Sequence, residues 1–282
     1  MLIMHAYTYR AYDFDRACKK SKEHGWDGIE LVGSHFDTKN LAGEKQRLGD
    51  TMAKYGVIAP VASWGADVMA DDPDVRKANL DFIIAGLPHL KDLGVTKANC
   101  SCGGLMDPDR KESGSAIAEE HHYERAAEAY REVAKALAEQ GMTASFEIHM
   151  HCLHDTARST YKLLKMIGSP LVTANLDAGN MYGTPHAEEA VEAVNILGEK
   201  IGYVHAKNCR RLNDGTTDYS YDLETGHLDY FSIFQALKQV GFAGDVCCEY
   251  CGLGDPSVAG ERDLHYLRRT LAELQMPGGK AC

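Results

Sequence analysis

The sequence predicts an α/β protein, a single (β/α)8 TIM barrel occupying residues 1–282, and three observations carry that expectation. Short strand-suited runs alternate with helical stretches eight times, with no shift in composition that would mark a linker. The chain has 282 residues, 44% of them apolar, enough to bury one full core and close to the roughly 250 residues of an eightfold barrel. Four polar residues, Glu147, Asp177, His205 and Glu249, stand at or next to the ends of the strand-like runs TASFEIH, VTANLDAGN, IGYVHAKN and DVCCEYCG. Their separations of 30, 28 and 44 residues are each one βα unit or slightly more, and in a parallel barrel such ends meet at one mouth. An open doubly wound sheet shares the alternation, but no Gly-rich phosphate loop follows the first strand, which favours the closed form.

Taken in order, LIMHA is the first strand and a helix covers 13–24. The turn at Gly25 leads into the second strand, GWDGIELV, and a helix near 40–55. VIAPVAS is the third strand, and the acidic turn DDPD opens a helix from about 73 to 93. After the fourth strand, VTKANCS, the segment SCGGLMDPDRKESG mixes Gly, Pro and charge without periodicity, so it reads as a loop over the mouth. A helix over 114–140 carries Ala and Leu at helical spacing, with His121 and His122 on its solvated face or near the mouth and Gly141 as its stop. The rest reads as strand 143–148, helix 155–167, strand 171–177, helix 186–199, strand 201–206, loop 208–227, helix 229–240, strand 245–250 and helix 256–275.

Composition narrows the function. A formal net charge of −11 with no basic stripe argues against nucleic acid and for a small neutral substrate. The apolar runs fall far short of the roughly 20 residues that span a bilayer, and the N-terminus MLIMHAYTYR lacks a signal-peptide core, so a soluble, cytoplasmic protein without membrane attachment is expected. Nine scattered cysteines read as reduced packing residues rather than a disulfide framework. Cys248 and Cys251 formally make a C-x-x-C, but three residues apart on a strand they point to opposite faces.

Three carboxylates and one imidazole form a donor set for one divalent ion. Mn²⁺ is the first expectation, Mg²⁺ and Co²⁺ suit the same oxygens, and Zn²⁺ would also bind. Strand parity adds candidates: His149 lies two residues beyond Glu147, and His151 two further if the strand persists, so EIHMHCLHDT offers an additional base. His154 is a weaker candidate. Lys207 shares the parity of His205, and Glu30, in IELV, is expected either to orient a ligand from behind or to be an inward-facing structural acid.

The quartet, together with GWDGIEL near the start and GHLDYFSIFQALKQVGFAGDVCCEY near the end, resembles the xylose-isomerase-like barrel superfamily of sugar isomerases and epimerases. Its branches include tagatose-type ketose 3-epimerases, inosose isomerases and dehydratases, hydroxypyruvate isomerases and dehydroshikimate dehydratases. The resemblance covers nearly the whole chain. It implies that Glu147, Asp177, His205 and Glu249 are metal ligands and that Glu147 and Glu249 double as a catalytic acid/base pair. A metal that chelates a ketone oxygen and the adjacent hydroxyl acidifies the intervening C–H, and a carboxylate on each side of that carbon then exchanges its proton. The expected activity is therefore a divalent-metal-dependent sugar isomerase or epimerase acting on a keto-sugar or cyclic polyol ketone through a metal-stabilised enediolate.

Two features depart from the ketose-epimerase pattern. Many of those enzymes carry a substrate-contacting His three residues after the metal-binding Asp, where NLDAGN has Asn180, so Asn180 is expected at the substrate. The Glu147-x-His149 pattern resembles the dehydroshikimate-dehydratase branch and metal-dependent C-glycoside-cleaving enzymes. It makes the alternative a lyase, a dehydratase or a β-elimination of a 3-keto-sugar, with His149 as additional acid/base. By the same resemblance Arg210, five residues after His205, is expected to orient substrate or the catalytic Glu, with Arg211 as the alternative. Trp64 and Tyr7 are candidates for an apolar wall under a sugar ring. A homo-oligomer is expected, and the lyase reading admits a small partner subunit. An abasic-site endonuclease, the barrel's DNA-repair relative, needs further ligands and a basic groove that the acidic balance disfavours.

Overall fold

The computed structural model describes residues 1–107 and 112–279. Its barrel strands are short, three to six residues each, and nearly every position in them is buried. In chain order the elements are β1 (Leu2–His5), α1 (Phe14–His24), β2 (Gly28–Leu31), α2 (Leu41–Tyr55), β3 (Val61–Ser63), α3 (Pro73–Asp92) and β4 (Lys97–Cys100). The short strands β5 (Met106–Asp107) and β6 (Glu112–Ser113) precede α4 (Glu120–Gln140), β7 (Thr143–Glu147), α5 (Ala157–Ile167) and β8 (Val172–Asp177). Then come α6 (Ala178–Gly183), α7 (Ala190–Leu197), β9 (Ile201–Ala206), β10 (Asn208–Arg211), β11 (Thr217–Tyr221), α8 (Tyr230–Gln239), β12 (Asp245–Cys248) and α9 (Pro256–Glu273). The eight barrel strands close in the order β1-β12-β9-β8-β7-β4-β3-β2, all parallel, which is the predicted (β/α)8 TIM barrel.

Strand alternation divides the buried residues into two layers. Ile29, Ala62, Phe146, Leu176, Val204 and Val246 face the helices and join the large core between strands and helices. Ile3, Val61, Tyr203 and Cys247 form a separate small cluster, the apolar plug inside the barrel. Above that plug, two residues further along the strands, the same inward parity presents His5, Ser63, His205 and Glu249. Asp177 lies opposite His205 in register, and His5 opposite Glu30.

Local signals set most helix ends as the sequence implied. Asp13, Asp72, Asp229 and Asp255 cap helices by accepting backbone N–H bonds in the first turn. Gly141, at φ +61°, closes α4 in the left-handed conformation that glycine enters without strain. The differences lie in the connections. The helix expected over 114–140 begins at Glu120, where His122 Nδ1 accepts the Glu119 N–H. The helix expected over 186–199 is the shorter α7, and α6, which runs straight on from β8, lies before it where no helix was expected. The loop expected over 208–227 holds the antiparallel hairpin β10–β11. Of the loop 101–113, residues 108–111 lie outside the described residues, and β5 pairs with β6 around them. Among the described residues no helix is long and apolar enough to cross a membrane.

Candidate metal centre and active site

Strands β7, β8, β9 and β12 are consecutive neighbours in the barrel wall, so the four residues at their ends form an arc. Glu147, Asp177, His205 and Glu249 each offer one ligand atom, and these atoms lie within 4.8 Å of one another. Glu147 and Glu249 end the arc, with Asp177 and His205 between them.

The polar interior beneath the arc is organised by Glu30, which is fully buried. Its Oε1 accepts from Ser63 Oγ at 2.8 Å and Asn99 Nδ2 at 3.1 Å, and lies 3.5 Å from His5 Nε2. Its Oε2 accepts from the Tyr203 hydroxyl at 2.7 Å and from His205 Nε2 at 2.9 Å. Burial works to raise the Glu30 pKa, but the His205 and His5 imidazoles outweigh it and hold the carboxyl well below its usual range. Glu30 is thus an anion that fixes the His205 ring from behind.

Amides aim Glu147 and Asp177, and an ammonium and an imidazole flank Glu249. Asn180 Nδ2 donates to Glu147 Oε1 at 3.1 Å and to Asp177 Oδ2 at 2.8 Å, while its backbone N–H donates to Asp177 Oδ1 at 2.9 Å. Asn99 Nδ2 donates to Glu147 Oε2 at 2.9 Å, and Asn99 is itself held by Asn175 at 3.0 Å. Lys207 donates to Glu249 Oε2 at 2.7 Å and lies 3.0 Å from Asp177 Oδ2. His5 Nδ1 lies 3.5 Å from Glu249 Oε1.

His205 decides whether these residues fit a divalent ion. With Nε2–H committed to Glu30, the Nδ1 lone pair points into the cluster, 3.5 Å from Glu147 Oε1 and 3.9 Å from Asp177 Oδ2. That atom is buried and, among the described residues, has no hydrogen-bond partner. A buried lone pair facing carboxylate oxygens is costly unless a cation lies between them, and a carboxylate–histidine pair presenting the other nitrogen is how metal-binding imidazoles are held. Without an ion, the same negative surroundings, Glu30 and Glu147 acting against burial, raise the His205 pKa well above its ordinary value, so that a proton on Nδ1 takes the place an ion would hold. The donor set therefore fits a divalent ion.

The family model described as xylose isomerase-like TIM barrel matches residues 18–270. The chain belongs to that family. Among its relatives, a ketose 3-epimerase of Arthrobacter globiformis is 26% identical over 242 residues, covering 82% of this chain and 75% of that protein. An inosose dehydratase of Geobacillus kaustophilus is 23% identical over 268 residues, covering 83% of this chain and 85% of that protein. A D-allulose 3-epimerase from Methylomonas sp., solved in complex with D-allulose, superposes with a TM-score of 0.76 at 19% identity, covering 95% of this chain and 96% of that one. At that identity the superposition speaks for the fold.

Set in this family's barrel, the remaining expected residues divide into those near the arc and those away from it. His149 is exposed just beyond the end of β7, where hydrogen bonding with the Cys152 thiol and the nearby Glu147 carboxylate raise its pKa to about 9. Tyr7 is at the rim, its ring 6.3 Å from that of His5 and capped by the Arg10 guanidinium. Asn180 corrects an expectation: only 1% exposed, it spends its amide on Glu147 and Asp177 rather than facing substrate. His151 is a second correction, because β7 ends at Glu147 and strand parity does not reach it. At φ +67° it turns away and bonds Ser113 Oγ at 2.8 Å.

Trp64 is a third correction. Ser63 takes the inward position toward Glu30, so Trp64 points outward, stacks on Phe82 and donates to the Ile83 carbonyl of α3. Arg210 is a fourth, since it donates to the Thr225 carbonyl and lies over the Tyr221 ring, bracing the hairpin. Arg211 bonds the Tyr182 carbonyl. The residues that sequence reasoning missed are His5, Asn99, Asn175 and Tyr219. His5 ends the first strand much as the residues of the arc end theirs, a signal that was available. Tyr219, whose ring is 5.9 Å from Lys207 Nζ, comes from the hairpin and had no such signal.

Proposed function

We propose that this chain is a divalent-metal-dependent isomerase or epimerase of a small keto-sugar or cyclic polyol ketone. The observation that supports it most is the arc itself, with a carboxylate at each end and a carboxylate and an imidazole between. Glu147, Asp177, His205 through Nδ1, and Glu249 would hold the ion, with Mn²⁺ the first choice for this oxygen-rich set. When bound, the ion supplies Lewis acidity toward a carbonyl and an adjacent hydroxyl of the substrate. Glu147 takes the proton from the hydroxyl-bearing carbon next to that carbonyl, and Glu249 returns one from the other end of the arc. Return to the opposite face of the same carbon epimerises it, and return to the neighbouring carbon isomerises the sugar. Asn180 and Asn99 keep the Glu147 carboxylate aimed, and Lys207 and His5 do the same for Glu249. The named activities of the Arthrobacter and Methylomonas proteins are in keeping with this reading.

A second reading is favoured by one observation. His149 stands exposed next to Glu147 with a pKa raised to about 9, so near neutral pH it is an imidazolium able to protonate a leaving group. The enzyme would then be a lyase, eliminating water or an aglycone from the same substrate anion, an activity of the kind named for the inosose dehydratase relative.

The two are separated by NMR in D₂O, with Mn²⁺- or Mg²⁺-loaded enzyme, a panel of ketohexoses, ketopentoses, inososes and 3-keto-glucosides, and Mn²⁺ removed before spectra are read. Deuterium entering beside the carbonyl with a new stereoisomer and no fragment is the expected result. Unsaturated or cleaved products, lost in His149→Ala, would transfer the assignment to the lyase. Loaded enzyme that exchanges no deuterium into any of these would sink both.

A further inference from the structure

The oxygen that a metal would need most is already taken. Asp177 Oδ1 is turned to the Asn180 backbone N–H, and Oδ2 is the atom that faces the arc and His205 Nδ1. That single oxygen meets Asn180 Nδ2 at 2.8 Å and Lys207 Nζ at 3.0 Å. A carboxylate oxygen has about two lone-pair sites, so both are used. The same ammonium lies 2.7 Å from Glu249 Oε2, another oxygen on the arc. Lys207 therefore bridges two of the four prospective ligands, and all three side chains are buried.

We propose that Lys207 is a resident cation that the divalent ion displaces. Its ammonium holds Asp177 and Glu249 in ligand positions, and metal binding moves it off Asp177 Oδ2. One of the two donors on that oxygen has to leave. Asn180 is the less mobile: it sits in the first turn of α6, 1% exposed, and also bonds Glu147. Lys207 has a flexible four-carbon stem, and the Tyr219 ring near its ammonium offers a second place for the charge. A released ammonium beside the metal would meet a substrate oxygen, which gives Lys207 a later role at the same site. The lysine thus lowers metal affinity while guarding the ligand geometry.

This rests on the arc being a metal site, and the test separates the two claims. Mn²⁺ alone is titrated calorimetrically into wild type and Lys207→Met. The expected result is binding at least about tenfold tighter in the variant, about 1.4 kcal/mol, because no ammonium has to be moved. Equal or weaker binding in Lys207→Met would mean that the ammonium stays and assists, which overturns the displacement. Wild type that binds no Mn²⁺ would overturn the metal site as well. Should the variant fail to fold, a crystal structure of Mn²⁺-loaded wild type decides: Lys207 Nζ beyond hydrogen-bonding distance of Asp177 Oδ2 supports displacement, and Nζ still at about 3 Å refutes it.

Discussion

At His154 both ring nitrogens are committed. Nδ1 donates to the Glu147 carbonyl at 2.7 Å, and Nε2 accepts from the Cys102 N–H at 3.3 Å, tying the end of β7 to the loop after β4. No place remains for a second ring proton, and burial pushes the pKa down to about 4. Because the folded-state pKa lies below the ordinary 6.5, the unfolded chain takes up a proton that the folded chain refuses. The resulting stability is present above pH 6.5 and is lost as pH falls from there toward 4, about 3 kcal/mol across the window. Urea unfolding at pH 7 and pH 4.5 should show wild type losing about 2–3 kcal/mol more than His154→Asn, and equal losses would contradict this role. The histidines of this segment also mark what one sequence can and cannot disclose. Glu147 was legible because a strand ends there, whereas the parity argument that placed His149 and His151 assumed a strand that had already stopped. His154 serves the backbone through its ring, a function with no side-chain pattern to read.

Among the elements, the strands were easier to foresee than their connections. Strand ends are set by the switch from apolar runs to polar residues, so Asp177 and His205 fall at predictable places and pair in register. Hairpin β10–β11 has no comparable signal, since the residues of β11 are mostly polar and half-exposed, and it carries Tyr219 to the mouth unannounced. Which way Trp64 faces depended on a strand boundary one residue away, a margin that periodicity does not resolve. Its outward packing against α3 has a direct consequence. A Cβ on Gly86 would fall 2.1 Å from the Trp64 indole, so Gly86→Ala should cost about 1–3 kcal/mol by overpacking. Because that contact lies outside the barrel, the variant should melt earlier yet bind Mn²⁺ with the affinity of wild type. A loss of metal affinity would place Trp64 at the site after all.

For the molecule as a whole, closure of the barrel follows from eight alternating units with both sheet faces covered, and that much the pattern of the chain conveyed. Inside the barrel Glu30, Glu147, Asp177 and Glu249 converge, and among the described residues Lys207, His5, His205 and, at the rim, His149 answer their charge. A divalent ion added to that cluster is bound by the folded chain alone, so it should stabilise the protein by about 2.7 kcal/mol at a hundred times its Kd. The measurement that reaches the central claim most directly is metal content and calorimetric titration of wild type against Asp177→Asn. Asparagine keeps the shape and the helix-capping capacity of Asp177 while removing its charge. The account predicts one Mn²⁺ per chain in wild type and binding weaker by on the order of 100-fold in the variant. Equal affinity in the two proteins would show that the metal, and with it the proposed chemistry, belongs elsewhere.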